Sequence, residues 1–413
     1  MKRILIPAAL IAATMAGHQV GKQFESNKGM VQRIMAQPEK RYVIWNKNEF
    51  IKKPGTVSAM ASVPGAIEME HINGVVIAAK EPPKIQGTED WVVQEEIVYS
   101  HMGCAREPSE TAPGNPGCAC PSPTPPVATA TPGGPCTNCP PDGTPPPVAS
   151  PIDSREFAWW AKQVHAPEAW GQVDTGQIKI CVIDTGADQN HPDLQGVIIG
   201  GGDFTGSTGS WHDDQGHGTH VAGIIAAKLN GQGIAGVSRA KIIANKVLDS
   251  NGSGMSSWIA DGIMDCVNKG AHIISASLGS RSPDQLIRQA TDAAIARGVL
   301  FIAAAGNDGG AVNYPAANPG VIAVSAVDQN NRIASFSSRG SQIQYAGYGV
   351  DILSLRLGGG EVKMSGTSMA TPGVAAVLAY AVAKGKKQAG TRQLGLGPTL
   401  EGKGLADVVE SVK

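Results

Sequence analysis

From Gln177 to Ile183 the chain runs Gln-Ile-Lys-Ile-Cys-Val-Ile and stops at Asp184, a strand-length apolar stretch ending on a carboxylate. Shorter runs of the same kind recur at Ile273–Ser275, Val299–Ala304 and Val321–Val324. Helical spacing fills the gaps between them. His217–Leu229 is rich in Ala, Val and Ile, and Trp258–Asn268 is closed by Gly270. A third helix is opened by Ser282-Pro283-Asp284-Gln285, read as a capping box with Pro at the first helical position, and ends at Gly298. Alternating strands and helices predict an α/β fold: a mostly parallel sheet with helices on both faces. In such sheets reactive residues gather at the carboxyl ends of strands, where Asp184 and the Gly306-Asn307 turn both lie. A last alanine-rich run follows Met364-Ser-Gly-Thr-Ser-Met-Ala-Thr-Pro372 and places Ser368 at a turn entering a helix.

Ahead of this region the pattern changes. Arg41–Trp45, Gly74–Ala78, Trp91–Val93 and Ile97–Tyr99 read as short strands of a small α+β unit, whose helices the pattern does not define. Residues 103–150 hold 14 of the chain's 28 prolines and almost no large apolar residues, so they cannot bury a core and read as a linker. Residues 1–16 read as a secretory signal: Lys2 and Arg3, the apolar run Ile4–Ala13, then Thr14-Met15-Ala16. No other stretch is long and apolar enough to span a bilayer, so the expectation is an exported protein without a membrane anchor.

Composition adds two constraints. A formal net charge of -1 over 413 residues gives no electrostatic case for nucleic acid or an anionic surface. Of seven cysteines, five (104, 118, 120, 136 and 139) lie in the proline-rich stretch, where export favours disulfides over a zinc site. Cys181 and Cys266 fall in apolar contexts and read as buried free thiols.

A serine hydroxyl is a weak nucleophile at neutral pH. It needs a base, a group that orients the base, and donors for the developing oxyanion. Ser368 has candidates for each. His217 sits in a glycine-flanked loop entering a helix, Asp184 ends a buried strand, and Asn307 ends another with its amide free to donate. Two rival chemistries fail on spacing. Asp174-Thr-Gly176 and Asp184-Thr-Gly186 are too close to form an aspartic-protease dyad, and His212, His217 and His220 lack the His-Glu-x-x-His arrangement. A non-catalytic binding scaffold is the third rival, and the intact chemical positions speak against it.

Four segments, Val182-Ile-Asp-Thr-Gly-Ala-Asp188, Gly216-His-Gly-Thr-His-Val-Ala-Gly223, Ala304-Ala-Gly-Asn307 and Gly366-Thr-Ser-Met-Ala-Thr-Pro372, resemble the subtilisin-like serine proteases (subtilases, peptidase family S8). The resemblance covers about 152–410 and implies a secreted endopeptidase with a three-layer catalytic domain at 151–413. It implies Ser368 as nucleophile, His217 as base and then acid, Asp184 as orienter, and Asn307 with the Ser368 N–H as oxyanion hole. The acidic limb of activity then falls below about pH 6.5.

Gly252-Ser253-Gly254 and Ser277-Leu278-Gly279 match the family's two edges for an extended peptide substrate, and Asn313 matches the base of the pocket for the residue before the scissile bond. Asp193 and Asn230 match side-chain ligands of a structural calcium ion, and no catalytic cofactor is implied. Gly373 stands where the family has a larger residue, costing the helix roughly 1 kcal/mol. More weakly, about 38–102 resembles the family's ferredoxin-like inhibitory propeptide, with a first cut near Tyr99–Gly103. The chain then reads as a signal (1–16), a propeptide (38–102), a Pro/Cys-rich linker (103–150) and a monomeric catalytic domain, autoprocessed from a zymogen.

Overall fold

The computed structural model describes residues 40–47, 50–51, 66–79, 91–102 and 156–413. The signal segment, the linker with its five cysteines, and the segments where the small N-terminal unit would place its helices lie outside them.

The N-terminal unit contributes β1 (Lys40–Asn46), β2 (Ile67–Glu68), β3 (Gly74–Ala79) and β4 (Trp91–Glu95), an antiparallel sheet in the order β2-β3-β1-β4. β5 (Val98–His101) leaves this sheet and joins the larger unit.

In the larger unit the elements follow as α1 (Trp159–Gln163), α2 (Ala166–Ala169), β6 (Lys179–Asp184), β7 (Ile198–Asp203) and α3 (His217–Ala226). Next come β8 (Lys241–Lys246), β9 (Ser253–Met255), α4 (Ser256–Asn268), β10 (Ile273–Ala276), β11 (Leu278–Gly279) and α5 (Gln285–Ala296). The chain closes with β12 (Leu300–Ala304), β13 (Ile322–Val327), β14 (Ile343–Tyr348), β15 (Ile352–Leu355), β16 (Glu361–Met364), α6 (Thr367–Ala383), β17 (Thr391–Arg392), α7 (Pro398–Glu401), β18 (Leu405–Ala406) and α8 (Val408–Val412).

Nine strands form the central sheet in the order β17-β18-β14-β13-β12-β10-β6-β8-β7, parallel throughout except at β17–β18. Alternation along β6 shows why it has two covered faces. Ile180 and Val182 join a core shared with α3 and α6 (Val221, Ile225, Val374, Val377), whereas Cys181 and Ile183 join a core shared with α4 and α5 (Ile259, Ile263, Leu286, Ile287). The predicted three layers are therefore present. The second core also takes in Val43, Trp45 and Ile72, so the N-terminal sheet packs over α4 and α5.

Two expectations need correction. Cys181 and Cys266 are not free thiols: β6 and α4 pack face to face, bring the two Cα atoms to 5.7 Å, and the residues form a disulfide. A sequence separation of 85 hides that proximity. The helix expected to start on Pro283 starts at Gln285, because Asp284 is the cap and accepts the Ile287 N–H at 3.1 Å. The helix at His217 ends at Ala226 and that at Trp258 begins at Ser256.

Candidate active site

β6 delivers Asp184 to the carboxyl edge of the sheet, and α3 delivers His217 beside it. The close approach depends on Gly218, since a Cβ there would lie 2.0 Å from the Gly186 carbonyl oxygen. Asp184 Oδ1 and His217 Nδ1 stand 2.7 Å apart, both residues fully buried. Asp184 Oδ1 also accepts the Thr185 N–H at 2.7 Å. Asp213 fixes the loop between them. Its carboxylate accepts from Thr185 Oγ1, from the N–H groups of Gln215, Gly216 and Thr219, and from Thr219 Oγ1. Asp213 thereby ties the turn after Asp184 to the loop and helix that carry the imidazole, through short hydrogen bonds.

Ser368 occupies the first turn of α6. Pro372 lacks the N–H that would pair with the Ser368 carbonyl four residues back, and Ser277 Oγ donates to that oxygen instead, at 2.9 Å. Ser368 Oγ in turn donates to the Ser277 carbonyl oxygen at 3.0 Å. Asn307 is oriented from the same turn: its Oδ1 accepts the Thr367 N–H and Thr367 Oγ1, both at 2.9 Å, which leaves Nδ2 facing outward.

β5 lies between β9 and β11 as the middle strand of a three-stranded antiparallel sheet. Tyr99 pairs with Gly254 and Ser100 with Ser253, while His101 pairs with Leu278. The His101 N–H donates to the Gly252 carbonyl at 3.1 Å, and the Met102 N–H to the Ser277 carbonyl at 3.0 Å. Both expected substrate edges thus hold one extended segment, and that segment is the chain's own.

At its end, the Met102 carbonyl oxygen accepts the Ser368 N–H at 3.0 Å and Asn307 Nδ2 at 2.5 Å. A Cβ on Gly279 would meet Met102 Cε at 2.5 Å and Asn313 Cβ at 3.6 Å, which puts the Met102 side chain in the hollow that Asn313 borders. The His101 ring stacks on His217 with centroids 4.4 Å apart. Burial, reinforced by the charge of His217, pushes His101 down to about 3, so it sits there as a neutral ring. His220, buried one turn along the same helix, is also pushed down to about 3 by burial, and its Nε2 lies within hydrogen-bond distance of the Ile352 and Val362 carbonyls.

Asp193 and Asn230 are hydrogen-bonded to each other, with Asn230 Nδ2 donating to Asp193 Oδ1 at 2.8 Å. Glu156 accepts the N–H groups of Asn230 and Gly231 at 3.0 and 2.9 Å. Among the described residues no group of three or more His, Cys, Asp or Glu is disposed to hold a metal.

Sequence reasoning missed Asp213 and Thr367, and within Tyr99–Gly103 it left open which residue meets Ser368 and Asn307. Asp213 carried a readable signal, a carboxylate just ahead of a helix that starts at His217. The other two depend on contacts between residues far apart in the chain.

Residues 175–394, more than half the chain, match the model of the subtilase family. This protein is a subtilase. It is 49% identical over 229 residues to a thermostable alkaline protease of Halalkalibacterium halodurans, covering 55% of this chain and 63% of that protein's length. Thermitase of Thermoactinomyces vulgaris is 41% identical over 244 residues, covering 58% of this chain and 87% of thermitase. Subtilisin Savinase of Lederbergia lenta is 44% identical over 229 residues, covering 55% and 84% respectively. The family match begins at residue 175 and does not include the residues before it. No described helix is long and apolar enough to cross a membrane.

Proposed function

We propose that this subtilase is a secreted serine endopeptidase, made as a zymogen, whose first substrate is its own Met102–Gly103 bond. One observation carries the reading: the Met102 carbonyl oxygen takes hydrogen bonds from both the Ser368 N–H and Asn307 Nδ2. Two convergent donors on one carbonyl are what a tetrahedral oxyanion needs.

In this mechanism Ser368 Oγ leaves the Ser277 carbonyl and attacks the Met102 carbonyl carbon. His217 takes its proton, with Asp184 holding the ring's other nitrogen and offsetting the imidazolium charge. The C–N bond to Gly103 breaks as His217 returns the proton to the leaving nitrogen. Water, deprotonated by His217, then attacks the Met102–Ser368 ester; the C–Oγ bond breaks, His217 returns the proton to Oγ, and the Met102 carboxylate is released. Residues 98–102 remain as a product-like strand, so the unit containing β1–β5 acts as an inhibitor until it is removed.

Other substrates bind as an added strand between Gly252–Gly254 and Ser277–Gly279, and the enzyme works as a monomer on extended chains. Asn313 limits the pocket that receives the residue before the scissile bond to medium-sized side chains such as Met102. In a peptide library, cleavage after Met or Leu is expected to exceed cleavage after Trp, and the reverse order contradicts the assignment.

The test is intact mass and N-terminal sequencing of the exported wild type against Ser368→Ala. A wild-type N-terminus at Gly103 or trimmed beyond it, with the variant still joined, supports the reading. Identical cutting of both chains, or of neither, overturns it.

The loop around Asn230 fits a structural calcium ion only after one rearrangement. Asn230 Oδ1 now accepts the Gln232 N–H at 3.1 Å, so the amide must turn to offer its oxygen beside Asp193. With calcium bound there, the thermal midpoint rises on adding the ion and falls on chelation. A midpoint indifferent to both removes calcium from the description.

A further inference from the structure

Lys246 ends β8 as the register partner of Asp184 on β6, and it is fully buried. Burial of lysine is rare and demands that each ammonium hydrogen be used. Here Nζ donates to the Thr185 carbonyl at 3.0 Å, the Leu248 carbonyl at 2.9 Å and Asp214 Oδ1 at 2.7 Å. Thr185 is the residue whose N–H binds Asp184 Oδ1, and the N–H groups of Val247 and Leu248 bind the Asp184 carbonyl. Asp214 lies in the loop that leads into His217. A single ammonium therefore joins the end of β6, the end of β8 and the loop carrying the imidazole.

We infer that Lys246 is a positioning residue for the Asp184–His217 pair, clamping its two supports together and supplying the positive charge that balances the carboxylates around it. The inference rests on the proposed roles of Asp184 and His217. An apolar side chain of similar length could fill the same space, so packing alone does not account for an ammonium at this place. The titratable groups around His217 are Asp184 from β6, His101 from β5, His220 on α3, and Asp213 and Asp214 in the preceding loop. Among the described residues Lys246 is the cation hydrogen-bonded into this set. Removing its charge favours a protonated His217, and removing the charge of Asp214 does the reverse.

The experiment compares full-length Lys246→Met and Asp214→Asn with wild type. It follows the pH dependence of kcat/KM on a peptide substrate and, in a Ser368→Ala background, the imidazole titration of His217 by NMR. Lys246→Met is expected to move both curves to higher pH by roughly 0.3–1 unit. It should also lower kcat at least about tenfold with KM within about twofold. Asp214→Asn is expected to move both curves the other way. A folded Lys246→Met protein whose curves overlay wild type overturns the inference. Should that variant not fold, an unshifted Asp214→Asn overturns it equally. If the wild type shows no activity at all, the proposed function fails, and the imidazole titration still decides the role of Lys246.

Discussion

Ser368 and Ser277 bond each other reciprocally, hydroxyl to carbonyl, because Pro372 leaves the Ser368 carbonyl without its helical partner. A residue that weakens a helix in isolation is thus tolerated where it frees a backbone group for the site. Gly373 has no such role. A Cβ there meets nothing within 4 Å, so Gly373→Ala is expected to add about 0.5–1 kcal/mol of stability. A thermal midpoint raised by roughly 1–3 °C checks this, and a lowered one contradicts it. Asn307 differs in kind, since the role proposed for it is in catalysis. Asn307→Ala is expected to lower kcat by roughly 10²–10³ with little change in KM, the loss known when one such donor is removed from a subtilisin rather than a value obtained from this geometry. Both residues were legible as residue types in their motifs. The orientation of the Asn307 amide was not, because Thr367 sets it from 60 positions away.

β5 is the element with two affiliations, continuing from the small N-terminal sheet yet paired between β9 and β11. The strand pattern Ile97–Tyr99 is readable in the sequence, whereas the edge character of Gly252–Gly254 and Ser277–Gly279 came from the family resemblance. What the pattern could not supply was register, which decides that Met102 reaches the two donors and His101 reaches His217. That stacking has a pH consequence. His101 is held near 3 in the bound strand and returns to about 6.5 when released, so the free state binds more protons as pH falls. Its contribution to holding the segment is complete above about pH 6.5 and is lost as pH drops from there towards 3, by up to about tenfold per unit. Asp261 titrates in the same window: burial pushes its carboxyl up to about 6, against the lowering effect of the Glu70 and His71 N–H groups it accepts. The difference between wild type and His101→Gln isolates the histidine. In the uncleaved Ser368→Ala protein, undocking of β5 followed by hydrogen exchange should steepen below pH 6.5, and less so when His101→Gln is added. Parallel curves would show that the stacking has no such effect.

At the scale of the molecule, one sheet separates two cores, and the second of them meets the N-terminal unit through α4 and α5. Trp45 Nε1 donates to Gln289 Oε1 at 2.8 Å, and the Asp261 carboxylate takes two backbone N–H groups of the N-terminal unit. The disulfide between Cys181 and Cys266 crosses one of these cores, tying the strand that carries Asp184 to α4. Closing so long a loop restricts the unfolded chain, so replacing both cysteines by alanine is expected to cost about 2–5 kcal/mol. A faster loss of structure on heating measures it, and an unchanged rate would show that packing alone holds α4 in place.

Local order was encoded in the sequence itself. Strand runs, helix caps, glycines at close approaches and the residue types of the four motifs all express preferences acting over a few neighbours, and they were enough for the α/β class and the family resemblance. Tertiary structure alone decided the Cys181–Cys266 bond, the acceptors that meet the Lys246 ammonium and the register of residues 98–102. Each joins segments tens of residues or more apart. Packing of whole faces sets such distances, and no local pattern records them.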